Sequence, residues 1–203
     1  MTNARAARRR LPPEDRRREI IAATIDTVAA LGYRATTFAK IAERGGLSST
    51  RLISYHFAGR DELMAATVAH VYQQLGEHLD ERLAAATGAR AQLAAYVRAS
   101  VEFVAGHRTV MQAMASIFLG FRDEFGGRSY DSGEDQRAIG AVEQILRRGQ
   151  EDGVFRAFDP FVLGSLVQRS VDGLAFLLEA RPDLDLGGYA EELVETFDIA
   201  TRR

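Results

Sequence analysis

The chain has 203 residues with no Cys and no Trp; 46% are hydrophobic, 27% are charged, and the formal net charge is −2. This length and apolar content give one or two domains with a sizeable core and exclude a disordered chain. The lack of Cys excludes a disulfide framework, Cys-ligated zinc and a thiol nucleophile. The most apolar stretch, residues 161–178, is interrupted by Gln168, Arg169 and Asp172. Such groups are costly at a bilayer centre, so no membrane span is expected. The basic N-terminus is followed by no uninterrupted apolar segment with a cleavage site, so no secretory signal is read and the expected location is the cytoplasm.

The near-neutral total hides a division. Residues 1–63 carry 12 Lys/Arg and 7 Asp/Glu, a net +5, whereas residues 64–203 carry 14 and 21, a net −7. Such asymmetry suits a basic module for a polyanion joined to an acidic body. A basic disordered tail accounts for it equally well, because Arg5, Arg8, Arg9, Arg10, Arg16, Arg17 and Arg18 supply seven of the twelve cations.

Apolar residues recur at helical spacing from end to end, and no alternating run suggests a strand. Pro12-Pro13 followed by Glu14-Asp15 opens a first helix, with acids facing the positive end of its dipole. Ile21, Ile25, Val28 and Leu31 form its apolar face and Gly32 ends it. Thr36 or Thr37 caps a short second helix with Phe38, Ile41 and Ala42 inward, and Gly45-Gly46 breaks it. Ser48 is expected to cap a third short helix carrying Leu52 and Ile53 and ending near Phe57. Asp61-Glu62 open a long helix with the stripe Met64, Val68, Val71, Leu75 and Leu79.

Two further helices carry Leu93, Val97, Val101 and Val104, then Met111, Met114, Phe118 and Phe121. Residues 126–133 have loop chemistry. Another helix carries Ile139, Val142 and Leu146, and Asp159-Pro160 is a strong start for an almost wholly apolar helix over 161–178. Leu193 and Phe197 belong to a last one. The expected fold is all-α, about nine helices, divided into a basic arm at 1–13, a helix-turn-helix domain at 14–63 and a helical body at 64–203.

Two short helices at 37–44 and 48–56, joined by a tight Gly-containing turn, form a helix-turn-helix pattern. Ile41, Ala42, Leu47 and Leu52 hold the pair together, while Ser49, Thr50 and Arg51 open the second helix, whose N-terminal residues reach base edges when it enters a major groove. Arg51 can pair bidentately with guanine, for about 1–3 kcal/mol of discrimination, or be a solvated surface charge.

The run Gly32-Tyr33-Arg34-Ala35-Thr36-Thr37-Phe38-Ala39-Lys40-Ile41-Ala42-Glu43-Arg44-Gly45-Gly46-Leu47-Ser48, then Tyr55-His56-Phe57 and Arg60-Asp61-Glu62-Leu63, resembles the N-terminal domain of TetR-type transcriptional regulators. The resemblance is close over about residues 14–63 and extends beyond them only in length and helical layout. It implies a homodimer that binds palindromic double-stranded DNA, most often as a repressor, with a helical body that binds a small-molecule effector. Residue by residue, it implies a phosphate contact at Thr37, a backbone-closing aromatic pair at Tyr55 and His56, and a phosphate contact at Arg60. Each has a plainer rival: Tyr55 as packing, His56 as a helix-end hydrogen bonder and Ser48 as a cap alone. Between Ser48 and Phe57 the chain carries one residue more than the commonest pattern, which leaves the register of residues 49–54 against the bases open. The arm is read as disordered when free, with minor-groove or backbone contact as its role on DNA.

In the body, Met111, Met114 and Phe118 are candidates for an effector cavity or for plain core. His107 is a candidate polar anchor or a helix cap. Arg169 and Asp172, three apart, pair with each other, orient a ligand or cross a dimer interface. Residues 136–148 and 161–178 are the dimer candidates. Catalytic patterns are missing: His70 and His78 lie about 12 Å apart along one helix, too far to share a zinc, and no H-E-x-x-H, G-x-S-x-G or phosphate-loop sequence occurs. The expectation is a ligand-responsive DNA-binding regulator without catalytic residues, metal or cofactor; the rival is a helical ligand- or protein-binding module that never touches DNA.

Overall fold

The computed structural model describes residues 12–124 and 133–203. The N-terminal arm and the loop expected at 126–133 lie almost wholly outside these described residues. Ten helices appear among them: α1 Pro13–Leu31, α2 Phe38–Arg44, α3 Thr50–His56, α4 Arg60–Ala84, α5 Ala89–Gly106, α6 Arg108–Glu124, α7 Glu134–Glu151, α8 Pro160–Asp172, α9 Leu174–Ala180 and α10 Leu186–Thr201. The tenth arises because the apolar run expected as one helix over 161–178 is divided at Gly173 into α8 and α9. Arg16, Arg17 and Arg18 lie in α1, as the helix start expected at Pro12-Pro13 implies, and not in a tail; Arg16 meets Glu19 and Arg18 meets Asp15 one turn away.

Local chemistry accounts for the helix ends. Pro13 supplies a preset φ at the start of α1 and Glu14 and Asp15 follow in its first turn. Thr37 caps α2 by accepting the Lys40 N–H at 3.3 Å, and Asp159 caps α8 by accepting from Phe161 and Val162. The expectation for α3 needs correction: Ser49, not Ser48, holds the N-cap position, with extended backbone and no side-chain capping bond.

Three apolar clusters follow. The first unites the head with part of the body: Ile20, Val28, Tyr33, Ile41, Ile53, Phe57 and Leu63 share one core with Phe103 of α5 and Ala113, Met114 and Ile117 of α6. The second packs the far end of α4 with α5, α7, α8 and α10, and the third joins α5, α8, α9 and α10. The head is therefore seated on α6, which runs along α1. Gly45 makes the α1–α2 approach: a Cβ there would lie 2.5 Å from the Ala23 Cβ.

Candidate nucleic-acid interface and ligand cavity

The α2–turn–α3 unit is built inward from Ile41, Ala42 and Ile53, all buried, with Leu47 N–H donating to Ala42 O at 2.9 Å across the turn. Helical period then sends the intervening polar positions outward. Thr37, Ser48, Ser49, Thr50, Arg51 and Tyr55 are all exposed, as the sequence led us to expect. Tyr55 is 83% exposed, an unusual position for so large a ring. Lys40 and Ser54 share the exposed face, although the pattern singled out neither; a polar residue between apolar ones carries no mark of its own.

His56 is half-buried, its ring edge-on to Tyr55 at 5.1 Å, and its carbonyl accepts from the Arg17 guanidinium. Desolvation first, then the positive charges of Arg17 and Arg16, hold its imidazole below the ordinary histidine value. It is neutral at pH 7 and offers a hydrogen-bonding nitrogen rather than a charge. Arg17 also lies 4.2 Å over the Phe57 ring, clamping the end of α3 to α1. Arg60 is placed differently from its neighbours. Its guanidinium donates to Tyr33 O at 2.6 Å and lies 3.9 Å over the Tyr33 ring, tying the start of α4 to the α1–α2 turn.

A cavity of about 310 Å³ opens between α4, α5, α6, α7, α8 and α9. Met111, Met114, Phe118, Arg169 and Asp172 all line it, whereas His107 does not. The His107 ring stacks on Phe103 at 4.2 Å, with Nδ1 2.9 Å from Phe103 O, so it stands behind the wall rather than in it. Phe121, expected in the same stripe, is also not on the lining. Tyr72, Phe103, Phe176, Gln168 and Asp135 line the cavity without having been marked by the sequence pattern.

The polar end is a chain of contacts. Tyr96 OH donates to Gln168 Oε1 at 2.6 Å, and Gln168 Nε2 donates to Asp172 Oδ1 at 2.8 Å. Arg169 bridges two carboxylates, donating to Asp135 on α7 and placing Nη1 3.2 Å from Asp172 Oδ2. Desolvation pushes the Asp172 carboxyl up to about 6, against the opposing pull of Arg169 and the Gln168 hydrogen bond. Burial likewise drives the Tyr72 and Tyr96 phenols well above their ordinary value, so both stay protonated.

Residues 20–67 match the family described as bacterial regulatory proteins, tetR family. The chain is similar to the HTH-type transcriptional regulator BetI of Burkholderia mallei, 38% identical over 90 residues, which are 44% of this chain. The match spans 46% of that relative's length, less than half. Two solved structures share the fold at low identity. AibR, solved with isovaleryl coenzyme A and operator DNA, is 16% identical, with a TM-score of 0.71 over 89% of this chain and 97% of its own. A putative transcriptional regulator from Saccharomonospora viridis, solved with choline, is 18% identical, with a TM-score of 0.75 over 94% of this chain and 99% of its own. The family match falls on the helix-turn-helix at residues 20–67, and the solved structures share the fold of the helices beyond it: the chain carries a helix-turn-helix segment similar to that of the tetR family of bacterial regulatory proteins.

Proposed function

We propose that the chain is a cytoplasmic DNA-binding transcriptional regulator, most simply a repressor, that grips a palindromic operator as a homodimer and is released by a small molecule. Residues 14–63 form its reading head and 64–203 its sensing and dimerising body. The observation that carries this reading is the exposed polar face of α2–α3, with Tyr55 standing 83% exposed beside Ser49, Thr50 and Arg51 on a helix whose other side is anchored by buried Ile53. Thr37, Ser48, Lys40, Tyr55 and His56 are suited to the phosphates and Arg51 to a base edge. Arg60, held on Tyr33, positions the head.

Duplex binding measured against salt tests the reading. Affinity is expected to fall with a log–log slope of about −0.9 per phosphate neutralised. Arg51→Ala is expected to lose about tenfold on the cognate site and little on random duplex, whereas Lys40→Ala weakens both alike. Equal losses for Arg51→Ala on both duplexes would remove its reading role, and no salt-sensitive duplex binding at all would leave the ligand- or protein-binding module as the better account.

Two copies would place two α3 helices about one DNA turn apart, ~34–36 Å. The dimer face we assign is α8 beside α7. Phe161 and Leu166 are each 56% exposed and Val162 is 53% exposed, three large apolar side chains on one helix of the kind that mark an interaction face. The stretch Pro160–Ala180 is also long and apolar enough to cross a membrane by length and composition alone. An isologous helix pair covers such a face with another copy of itself. Leu166→Glu is expected to shift sedimentation from dimer to monomer at micromolar concentration, because a carboxylate buried there lacks a partner. A dimer that survives it has its interface elsewhere.

The cavity is read as the effector site. Met111, Met114, Ala115 and Phe118 of α6 line it, while Ser116 and Gly120 of the same helix touch Tyr33 of the head. An effector that favours one placement of α6 therefore favours one placement of α3, with a coupling of about 1–3 kcal/mol at most ordinary sites.

A further inference from the structure

Two neighbours of nearly equal fold similarity hold ligands of opposite charge, an anionic thioester and a quaternary ammonium alcohol. The shared fold cannot choose between such classes, so the choice falls to the residues of this cavity. We propose that it takes an organic monocation, a protonated or quaternary amine on an apolar body, with Asp172 as its counter-ion; this rests on the reading of the cavity as the effector site.

Among the described residues, the charges that line the cavity are Asp135, Asp172 and Arg169, a surplus of one negative when both carboxyls are ionised. Arg169 is committed to Asp135 across the α7–α8 contact, and Asp172 is left with the weaker share of it. One Asp172 oxygen is served by Gln168, whose amide is held in that orientation by Tyr96 on its other side. The other, Oδ2, is buried and receives no hydrogen bond; its partner is the Arg169 guanidinium at 3.2 Å, which is shared with Asp135. A buried carboxylate oxygen so partly served gains from a further donor or positive charge. The raised Asp172 value is the same deficit seen from the proton's side.

The walls suit the rest of such a ligand. Tyr72, Phe103, Phe118 and Phe176 bring aromatic rings to the lining, and a desolvated cation is drawn to ring faces. Met111 and Met114 give polarizable, adaptable packing for its apolar part. An anionic ligand finds the reverse. Among the described residues its one cationic partner would be Arg169, already between two carboxylates, and each of those carboxylates would repel it.

The test titrates the full-length protein, by calorimetry, with phenyltrimethylammonium, its uncharged isostere tert-butylbenzene and the anion 4-tert-butylbenzoate. The cation is expected to bind at least tenfold more tightly than either. Asp172→Asn is expected to bring the cation within threefold of the isostere while melting no lower than the parent, since it removes a carboxyl that burial disfavours. If the isostere or the benzoate binds as tightly as the cation, the charge assignment is overturned and the cavity remains a ligand site. If none of the three binds at millimolar concentration, both the assignment and the effector reading fail. The ratio in the unaltered protein decides the question even if the variant does not fold.

Discussion

Gly120→Ala is expected to weaken binding to an operator-length duplex at least tenfold while leaving the body folded. Gly120 lies on α6 where the head meets the body, and a Cβ built there would stand 2.4 Å from Tyr33 Cδ1 and 2.7 Å from Tyr33 Cβ. Tyr33 has little freedom to withdraw. Its N–H donates to Ser116 Oγ at 2.9 Å, its carbonyl accepts from Arg60, and its ring is buried under the Arg60 guanidinium. The added methyl must therefore move α6 against the α1–α2 turn, an overpacking of about 1–3 kcal/mol. In a dimer that must present two recognition helices at a fixed spacing, a tilt of each head is multiplied by the lever to α3, and a loss of about 1.4 kcal/mol already makes a factor of ten. Fluorescence anisotropy with labelled duplex, beside a thermal melt, separates the effects. Unchanged duplex affinity would mean that this joint does not set the placement of the heads. Ser116→Ala, which removes one hydrogen bond and no space, is the milder control.

Phe57→Ala is expected to cost about 3–5 kcal/mol of stability, a large part of what a domain possesses. The ring is 1% exposed in the core that joins α1, α3, α4 and α6. It closes α3, with its N–H on Ile53 O at 3.0 Å and the Arg17 guanidinium on its face. Truncation opens a cavity under the recognition helix and leaves Arg17 without the ring it covers. Urea denaturation followed by circular dichroism measures the loss. Tyr55→Ala, two residues earlier, is the contrast: its ring is in water, so stability should change by no more than about 0.5 kcal/mol while duplex affinity falls. Were the two variants to lose stability equally, the assignment of inward and outward faces on α3 would be wrong.

The head was largely legible in the amino-acid order. Ile41, Ala42 and Ile53 at helical spacing fixed which side of each short helix is buried, and so placed Thr37, Thr50, Arg51 and Tyr55 outside. The precise helix start was not legible. Ser48 and Ser49 are equally good caps by residue type, and the structure starts α3 after the later one. The body was legible as helices and stripes but not as a site. Met111, Met114 and Phe118 repeat as a core stripe would, and the gap between α6 and α8 leaves them facing a cavity. Gln168 reads as an interruption of an apolar run until Tyr96, 72 residues earlier, is seen bonded to it. His107 beside a helix break could be read as a ligand anchor or a cap; it holds the C-cap position of α5 with its ring on Phe103.

By itself the amino-acid order determined the all-helical class, the uneven charge of residues 1–63 and 64–203, and the polar face of the helix-turn-helix. These follow from periodicity, caps and composition, which act within a turn or two of chain. Tertiary structure alone decided that the head shares its core with α6, that Arg60 serves Tyr33, and that Asp172 lines the cavity with one buried oxygen that receives no hydrogen bond. Each of those depends on groups far apart in the chain brought within a few ångströms, and no local preference specifies which of many similar residues will meet.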